Sequence, residues 1–149
     1  MNNIPVSGNN YRMKSNVSCT IQNFGKNYIR CGILGWCLEI LFTSLSEGPG
    51  KNRTLTGKTS IYMFPIYGFA CLFKPIYSLI HKLAWPIRGI LYMNLIYLVE
   101  YFSGIFLMKR NCCPWDYSNA KYNYKKVIRL DFAPYWFCTG LLYEHFLKK

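Results

Sequence analysis

The feature that most constrains this chain is an apolar stretch at 86–108 that contains one acidic residue. The twenty residues from Gly89 to Met108 include ten Leu, Ile, Val and Phe side chains, and Glu100 is their only formal charge. About 20 helical residues cross the hydrocarbon of a bilayer. The ten apolar residues favour insertion by roughly 4.5 kcal/mol, whereas one central carboxylate opposes it by about 3 kcal/mol. The stretch is therefore predicted to span a membrane and to carry Glu100 into it.

Three further apolar runs complete a set of four predicted spans, at about 29–46, 61–83, 86–108 and 127–147. The second run contains Pro65 and Pro75, which predict kinks that neighbouring helices can accommodate. The fourth run is the weakest, because Arg129, Asp131 and Glu144 oppose insertion by roughly 8 kcal/mol and its apolar side chains recover only about 4. We predict an all-α fold, a polytopic membrane protein with a bundle of about four transmembrane helices.

The segment ahead of the first run has a different composition. Residues 1–28 are polar and rich in Asn, Ser and Gly, so we expect them to be a flexible N-terminal segment before a membrane domain at 29–149. They lack the apolar central region of a signal peptide. The predicted location is an integral membrane, which is the plasma membrane if the source is bacterial.

The charge of the chain fits two kinds of partner. A formal net charge of +12 suits either nucleic acid or an acidic membrane surface. The six acids favour the membrane, because only Glu47 lies in a plainly polar stretch and the others lie in or beside apolar runs. We therefore predict membrane lipid as a partner and no binding of nucleic acid.

Neither the cysteines nor the glycine-rich loop predicts a cofactor. The seven cysteines contain no CxxC spacing, and Cys112 and Cys113 are adjacent, so we predict neither a disulfide framework nor a metal site and assign the thiols no role. Residues 57–60 (GKTS) resemble part of a P-loop, but Asn52 stands where that motif requires its first glycine. We predict that this chain binds no nucleotide.

Acids and one lysine inside the apolar runs form the predicted polar cluster. Its members are Glu39, Glu100, Glu144 and Lys74. Small residues lie on the same helical faces, since Gly35 is four residues from Glu39 and Gly104 is four residues from Glu100. One interpretation is bundle packing with Glu39 and Glu100 neutral or paired with Lys74. The other is a polar cavity that handles protons, ions or a lipid headgroup, and both stay open.

A second set of candidates lies in the polar loops. It comprises Arg53, Trp115, Asp116, Tyr117, Ser118, Arg129 and Asp131. Residues 115–118 (WDYS) are typical of an interfacial turn capped by its carboxylate, which we prefer to a catalytic loop. Arg129 and Asp131 are interpreted as interface anchors that flank a non-helical segment. The alternative is binding of a headgroup phosphate by Arg129 or Arg53.

A short internal similarity is also present. A Glu-bearing helix, a basic loop and a Pro-bearing helix occur twice, and residues 64–69 (FPIYGF) resemble residues 133–137 (APYWF). Duplicated helix pairs would be parallel repeats. Chance similarity is the simpler interpretation of so short a match.

Taken in order, these stretches resemble the CmpB-type ABC-transporter permease family, which includes small animal four-helix transmembrane proteins. The matching stretches are 35–39 (GWCLE), 52–53 (NR), 65–68 (PIYG), 100–104 (EYFSG) and 115–118 (WDYS). Thr54 departs from the glycine that follows Asn-Arg in many bacterial members. The resemblance implies a multi-pass membrane protein and carries over no catalytic residues.

We therefore expect a transport or permease-type component whose buried carboxylates line a polar path. The alternatives are an intramembrane enzyme acting on lipid headgroups and a non-catalytic assembly subunit. Whether the protein is an enzyme stays open, with a non-enzymatic role preferred. Transport driven by ATP would require a partner subunit, because this chain has no ATPase motif. Besides membrane lipid, we therefore expect a partner subunit or a homo-oligomer.

Overall fold

The structure, a computed structural model, describes residues 8–46 and 55–148, with side chains from residue 21 onward. Its five helices are α1 (Gly8–Ser46), α2 (Met63–Gly68), α3 (Phe73–Ile80), α4 (Trp85–Met108) and α5 (Ala133–Lys148). A 3-10 turn at Phe69–Leu72 joins α2 to α3. Between α4 and α5 lie two short antiparallel strands, β1 (Asn123–Tyr124) and β2 (Ile128–Arg129), and a 3-10 turn at Leu130–Phe132.

Three of the described helical segments are long and apolar enough to cross a membrane. They are Ile21–Leu45, Met63–Ile80 and Trp85–Met108, with mean hydropathies of 1.3, 1.4 and 1.6. The second combines α2, the 3-10 turn and α3, so the change of helix type falls between the two prolines that predicted kinks. Helix α5 has 16 residues and is not among the three. The prediction of an all-α helical membrane protein is confirmed.

The helix ends differ from the predicted spans at two places. Helix α1 begins at Gly8 and runs without a break past residue 28, so helical backbone covers most of the segment that we expected to be flexible. The fourth helix begins at Ala133 instead of residue 127, because the residues before it form β2 and a 3-10 turn. The expected non-helical segment around Arg129 is this strand and turn. The division into a flexible segment and a membrane domain stays a prediction.

The helices pack as two pairs, α1 with α2 and α4 with α5. Glycines allow the close approach: a Cβ at Gly35 would overlap the Tyr67 side chain, and a Cβ at Gly140 would overlap that of Tyr92. A buried cluster joins the two pairs, and it consists of Cys31, Cys71, Phe73, Tyr92, Tyr143 and Leu147. Large apolar side chains on the outside, such as Phe102 on α4, are exposed and suit contact with lipid.

The two helix pairs repeat the same long-range hydrogen bond. The Trp36 indole N–H on α1 donates to the Ser60 carbonyl at 3.0 Å, and the Tyr97 hydroxyl on α4 donates to the Arg129 carbonyl at 3.2 Å. Trp36 and Tyr97 hold the same position relative to the glutamate on their own helix, just ahead of it in the chain. Both bonds therefore join the acid-bearing helix to the segment just before the proline-bearing helix.

A second pair of contacts follows the same alignment of the two halves. A Cβ at Gly68 would overlap the Tyr28 ring, and a Cβ at Gly89 would overlap the Phe137 ring. Tyr28 and Gly89 stand equally far ahead of the two glutamates, and Gly68 and Phe137 stand equally far after the two prolines of the repeat. In the first helix pair the aromatic residue is on α1 and the glycine is on α2. In the second pair the glycine is on α4 and the aromatic residue is on α5, so the contact is kept with the two residue types exchanged. Such compensation favours duplication of a helix pair over chance similarity.

Candidate functional site: a carboxyl pair between the helix pairs

Glu39 lies on the half of the site formed by α1 and α2. It is half-buried, and its carboxylate accepts a short hydrogen bond from the hydroxyl of Thr59, in the loop before α2. The Tyr67 side chain on α2 also approaches this carboxylate. Two hydroxyl-bearing side chains, Thr59 and Tyr67, therefore lie beside the Glu39 carboxylate.

Glu100 lies on the half formed by α4 and α5 and is 9% exposed. The Tyr117 hydroxyl donates to its Oε1 at 3.4 Å. The Trp136 indole approaches the same carboxyl, yet among the described residues neither Glu100 Oε2 nor the buried indole N–H has a hydrogen-bond partner. The unpaired indole N–H is a suitable donor to the unpaired carboxyl oxygen, so a small shift of either side chain would pair the two buried atoms.

Two tyrosines connect these halves. Tyr67 and Tyr117 each interact electrostatically with both Glu39 and Glu100. Burial and the nearby Glu100 charge raise the pKa of the Tyr117 phenol above its usual value, so this hydroxyl stays protonated and donates. A continuous polar cluster thus runs from Thr59, which is exposed, to Glu100, which is buried.

The carboxylates of Glu39 and Glu100 lie near the loop ends of their helices. Glu39 precedes the end of α1 by seven residues and Glu100 precedes the end of α4 by eight, which places both about 10–12 Å from the helix ends at 1.5 Å per residue. Beyond them lies an aromatic layer in which the Phe73 ring is 4.7 Å from Tyr92 and 6.2 Å from Tyr143. The cluster therefore lies toward the loop ends of α1 and α4, and the packed rings lie further along the helices, away from those ends.

Neither carboxyl of the pair has a basic partner within the part of the chain that the structure describes. The ion pairs of the described residues are Arg88–Glu144, Lys148–Glu144 and Arg129–Asp131. Lys74, proposed from the sequence as a partner of Glu39 or Glu100, is exposed on α3 and lies beside Glu144 instead. The structure thus divides the predicted cluster into two locations: Glu39 and Glu100, here called the carboxyl pair, are linked through the side chains of Tyr67 and Tyr117, and Glu144 lies with Lys74 elsewhere.

The loop candidates have structural contacts of their own. The Trp115 indole N–H donates to the Val127 carbonyl at 3.0 Å. Asp116 accepts the Ser118 backbone N–H at 2.9 Å, as the turn prediction requires, and this bond lowers the pKa of the carboxyl.

The two predicted ligands of a headgroup phosphate are Arg129 and Arg53. Arg129 donates to both carboxylate oxygens of Asp131, at 2.8–3.0 Å, and this lowers the pKa of Asp131. The guanidinium is therefore engaged by an acid. Arg53 lies outside the described residues.

Sequence reasoning did not select Thr59, Tyr67 or Trp136. A usable signal for two of them was present, because Tyr67 and Trp136 occupy matching positions after the prolines of the internal repeat. Thr59 lies in residues 57–60, the segment that resembles part of a P-loop. In the part of the chain that the structure describes, no three His, Cys, Asp or Glu side chains are grouped as ligands of a metal ion.

The apolar helices and the carboxyl pair define the class of this molecule, a multi-pass helical membrane protein with acids buried between its helix pairs. The sequence model of a family described as "Putative ABC-transporter type IV" matches residues 27–149, and the chain belongs to this family. The resemblance to the CmpB type is thereby confirmed over nearly all of the described part. No solved structure matches this chain.

Proposed function

We propose that this protein is a transport-type membrane component in which Glu39 and Glu100 bind a proton or a monovalent cation on a path from the loop side. The observation that carries the proposal is the presence of two acids on different helices, each hydrogen-bonded by a hydroxyl group and each without a basic partner among the described residues. Family membership supports a role related to transport.

The physical argument concerns the cost of charge inside a membrane. An ionised carboxyl away from water is strongly disfavoured unless a proton, a cation or a basic side chain neutralises it. Each acid that has no basic partner would therefore hold a proton or a bound cation. The hydroxyls of Thr59, Tyr67 and Tyr117 are suitable donors to, or ligands beside, such a bound species.

The aromatic layer supports a gated path and not an open pore. Phe73, Tyr92 and Tyr143 lie between the carboxyl pair and the opposite surface. Passage would require a movement that separates these rings, and such movement needs a source of free energy. Since this chain lacks a nucleotide-binding motif, a partner ATPase subunit or an ion gradient would supply it.

The test is proton movement into liposomes that contain the purified protein and a trapped pH-sensitive dye. Under an imposed pH gradient and a potassium diffusion potential, we expect faster acidification with the wild-type protein than with empty liposomes. Glu100→Gln and Glu39→Gln should each reduce this rate at least tenfold, because an amide cannot carry the proton. Asp116→Asn is the matched control, since this acid is exposed in the loop, and it should retain the wild-type rate.

Other results would contradict the proposal. Equal rates in wild-type and Glu100→Gln liposomes, across a gradient of protons, Na⁺ or K⁺, would exclude a transporting role for the pair. If both Gln variants also unfold in detergent, the carboxyls are structural and an assembly subunit is the better account. Lipid products that accumulate only with wild-type protein would establish the enzymatic alternative.

A further inference from the structure

A second polar site lies at the membrane surface opposite the loops. It is a groove of about 260 Å³ between α3 and α5, lined by Phe73, Lys74, Tyr77, Ser78, Glu144, Leu147 and Lys148. It is near the turn that connects α3 to α4, so the carboxyl pair and this groove are separated by the aromatic layer. Nothing in the proposed function uses it.

The charge of the groove is positive even though it contains an acid. Glu144 is 4% exposed and is bonded by Arg88, at 2.9 and 3.1 Å, and by Lys148, at 2.7 Å. One carboxylate therefore faces two cations. Lys74 adds a third cation, which has no ion-pair partner in the described part of the chain. The groove's own lining, Lys74 and Lys148 against Glu144, has an excess of one positive charge, and the neighbouring Arg88 raises it to two, which favours an anion.

The cations are held in place by an aromatic ring. The Lys148 ammonium lies 4.3 Å from the centroid of the Tyr77 ring, and the Arg88 guanidinium lies 5.6 Å from the same centroid. Cation–π contacts and the salt bridges to Glu144 reduce the freedom of both side chains. Lys148 is still 36% exposed, so its remaining N–H groups are accessible from the groove.

The groove also has apolar surface beside its charged groups. The Tyr77 ring and the hydrocarbon stems of Lys74 and Lys148 provide apolar surface beside the cations, while Phe73 and Leu147, only 6% and 2% exposed, form the floor of the groove. The Ser78 hydroxyl provides a further donor. Ammonium groups at the membrane surface next to apolar surface match a molecule that has a phosphate head and a hydrocarbon tail. A soluble phosphate would leave the apolar walls unused.

We propose that this groove binds the phosphate group of an anionic phospholipid from the adjacent leaflet, with Lys74 and Lys148 as its ligands. Arg88 and Glu144 are positioning residues, because they hold Lys148 and the α4–α5 pair in place. The site is independent of the carboxyl pair, and its failure would leave the proposed transport role untouched.

The test is native mass spectrometry of the full-length protein in a mild detergent, with phosphatidylglycerol or phosphatidylcholine added in increasing amounts. The wild-type protein should retain one phosphatidylglycerol more tightly than phosphatidylcholine. Each lysine near an anionic lipid contributes about fivefold in affinity, so Lys74→Gln/Lys148→Gln should weaken the binding of phosphatidylglycerol about 25-fold. The matched control, Lys109→Gln/Lys126→Gln, removes the same charge on the loop side and should bind as the wild type does.

Two additional measurements distinguish the loss of a lipid ligand from the loss of folding, and the binding of lipid from the binding of free phosphate. Lys74→Gln alone leaves the Glu144 salt bridges intact and should weaken binding about fivefold, so an unstable double variant would not prevent the test. Inorganic phosphate, added to delipidated protein, should bind far more weakly than phosphatidylglycerol. Equal loss in the two double variants, equal retention of both lipids, or phosphate binding as tight as lipid binding would each overturn the proposal.

Discussion

The buried salt bridge between α4 and α5 gives the most quantitative prediction. Arg88→Met removes a guanidinium that makes two bonds to Glu144, and Arg88 and Glu144 have side chains only 14% and 4% exposed. Removing one member of a buried ion pair costs about 3–5 kcal/mol, because the remaining charge is left without compensation. Lys148 keeps its 2.7 Å contact to Glu144 and supplies part of that compensation. We therefore expect the lower end, a loss of about 3 kcal/mol in the free energy of unfolding.

A double-mutant cycle separates the salt bridge from packing. Arg88→Met/Glu144→Leu leaves no buried charge, so it should lose only about 1 kcal/mol, much of it from the hydrogen bond that Arg88 donates to the Leu83 carbonyl. Lys148→Gln, at the more exposed contact, should cost about 1 kcal/mol or less.

The measurement is unfolding in mixed micelles with increasing SDS, followed by tryptophan fluorescence. The reasoning is refuted if Arg88→Met is no more destabilising than Lys148→Gln. It is also refuted if the double variant loses as much stability as the sum of Arg88→Met and Glu144→Leu measured separately.

Three further predictions follow from local geometry. Gly140→Val should destabilise the protein by about 1–3 kcal/mol in the same unfolding assay, because its side chain would overlap the facing helix, whereas Gly25→Ala, with open space around it, should be neutral or stabilising. Lys126→Gly should stabilise the turn between the strands by about 1 kcal/mol, because Lys126 has φ 65° and glycine adopts that conformation freely; a lower unfolding midpoint would contradict this. The ionised Asp116 carboxylate stabilises its turn, and this contribution is fully present above pH 3.8, the ordinary pKa of an aspartate. It is lost as the pH falls through the lower pKa that Asp116 has in the folded protein. The protection factor of the Ser118 amide, which compares its exchange rate with that of an unstructured peptide at the same pH, should therefore fall only below about pH 3.8, and Asp116→Asn should abolish this pH dependence.

The strand pair illustrates what sequence reasoning could not reach. The turn hydrogen bond joins the Val127 N–H to the Tyr124 carbonyl, and both residues between them, Lys125 and Lys126, have positive φ. Turns of this kind usually carry Asn-Gly or Asp-Gly, and that signal is absent here. The residues after this turn form β2 and a 3-10 turn, and α5 begins at Ala133, six residues after the start of the predicted span 127–147.

The apolar runs of the sequence determined by themselves the membrane character of this chain and the presence of acids within its spans, because the apolar gain of the 86–108 run exceeds the cost of one carboxylate. The order of residues also contained the alignment that relates the two helix pairs, glutamate with glutamate and proline with proline. The sequence did not show which of the acids pairs with a basic side chain. Glu39, Glu100 and Glu144 look alike in sequence, each within an apolar run and near a small residue.

Only the packing of the helices assigned those acids to separate environments. Arg88 lies 56 residues before Glu144 and reaches it across the α4–α5 interface, whereas no basic side chain of the described residues pairs with Glu100. The physical reason is that insertion energies add along a single helix, but neutralisation of a charge depends on the distance between side chains of different helices.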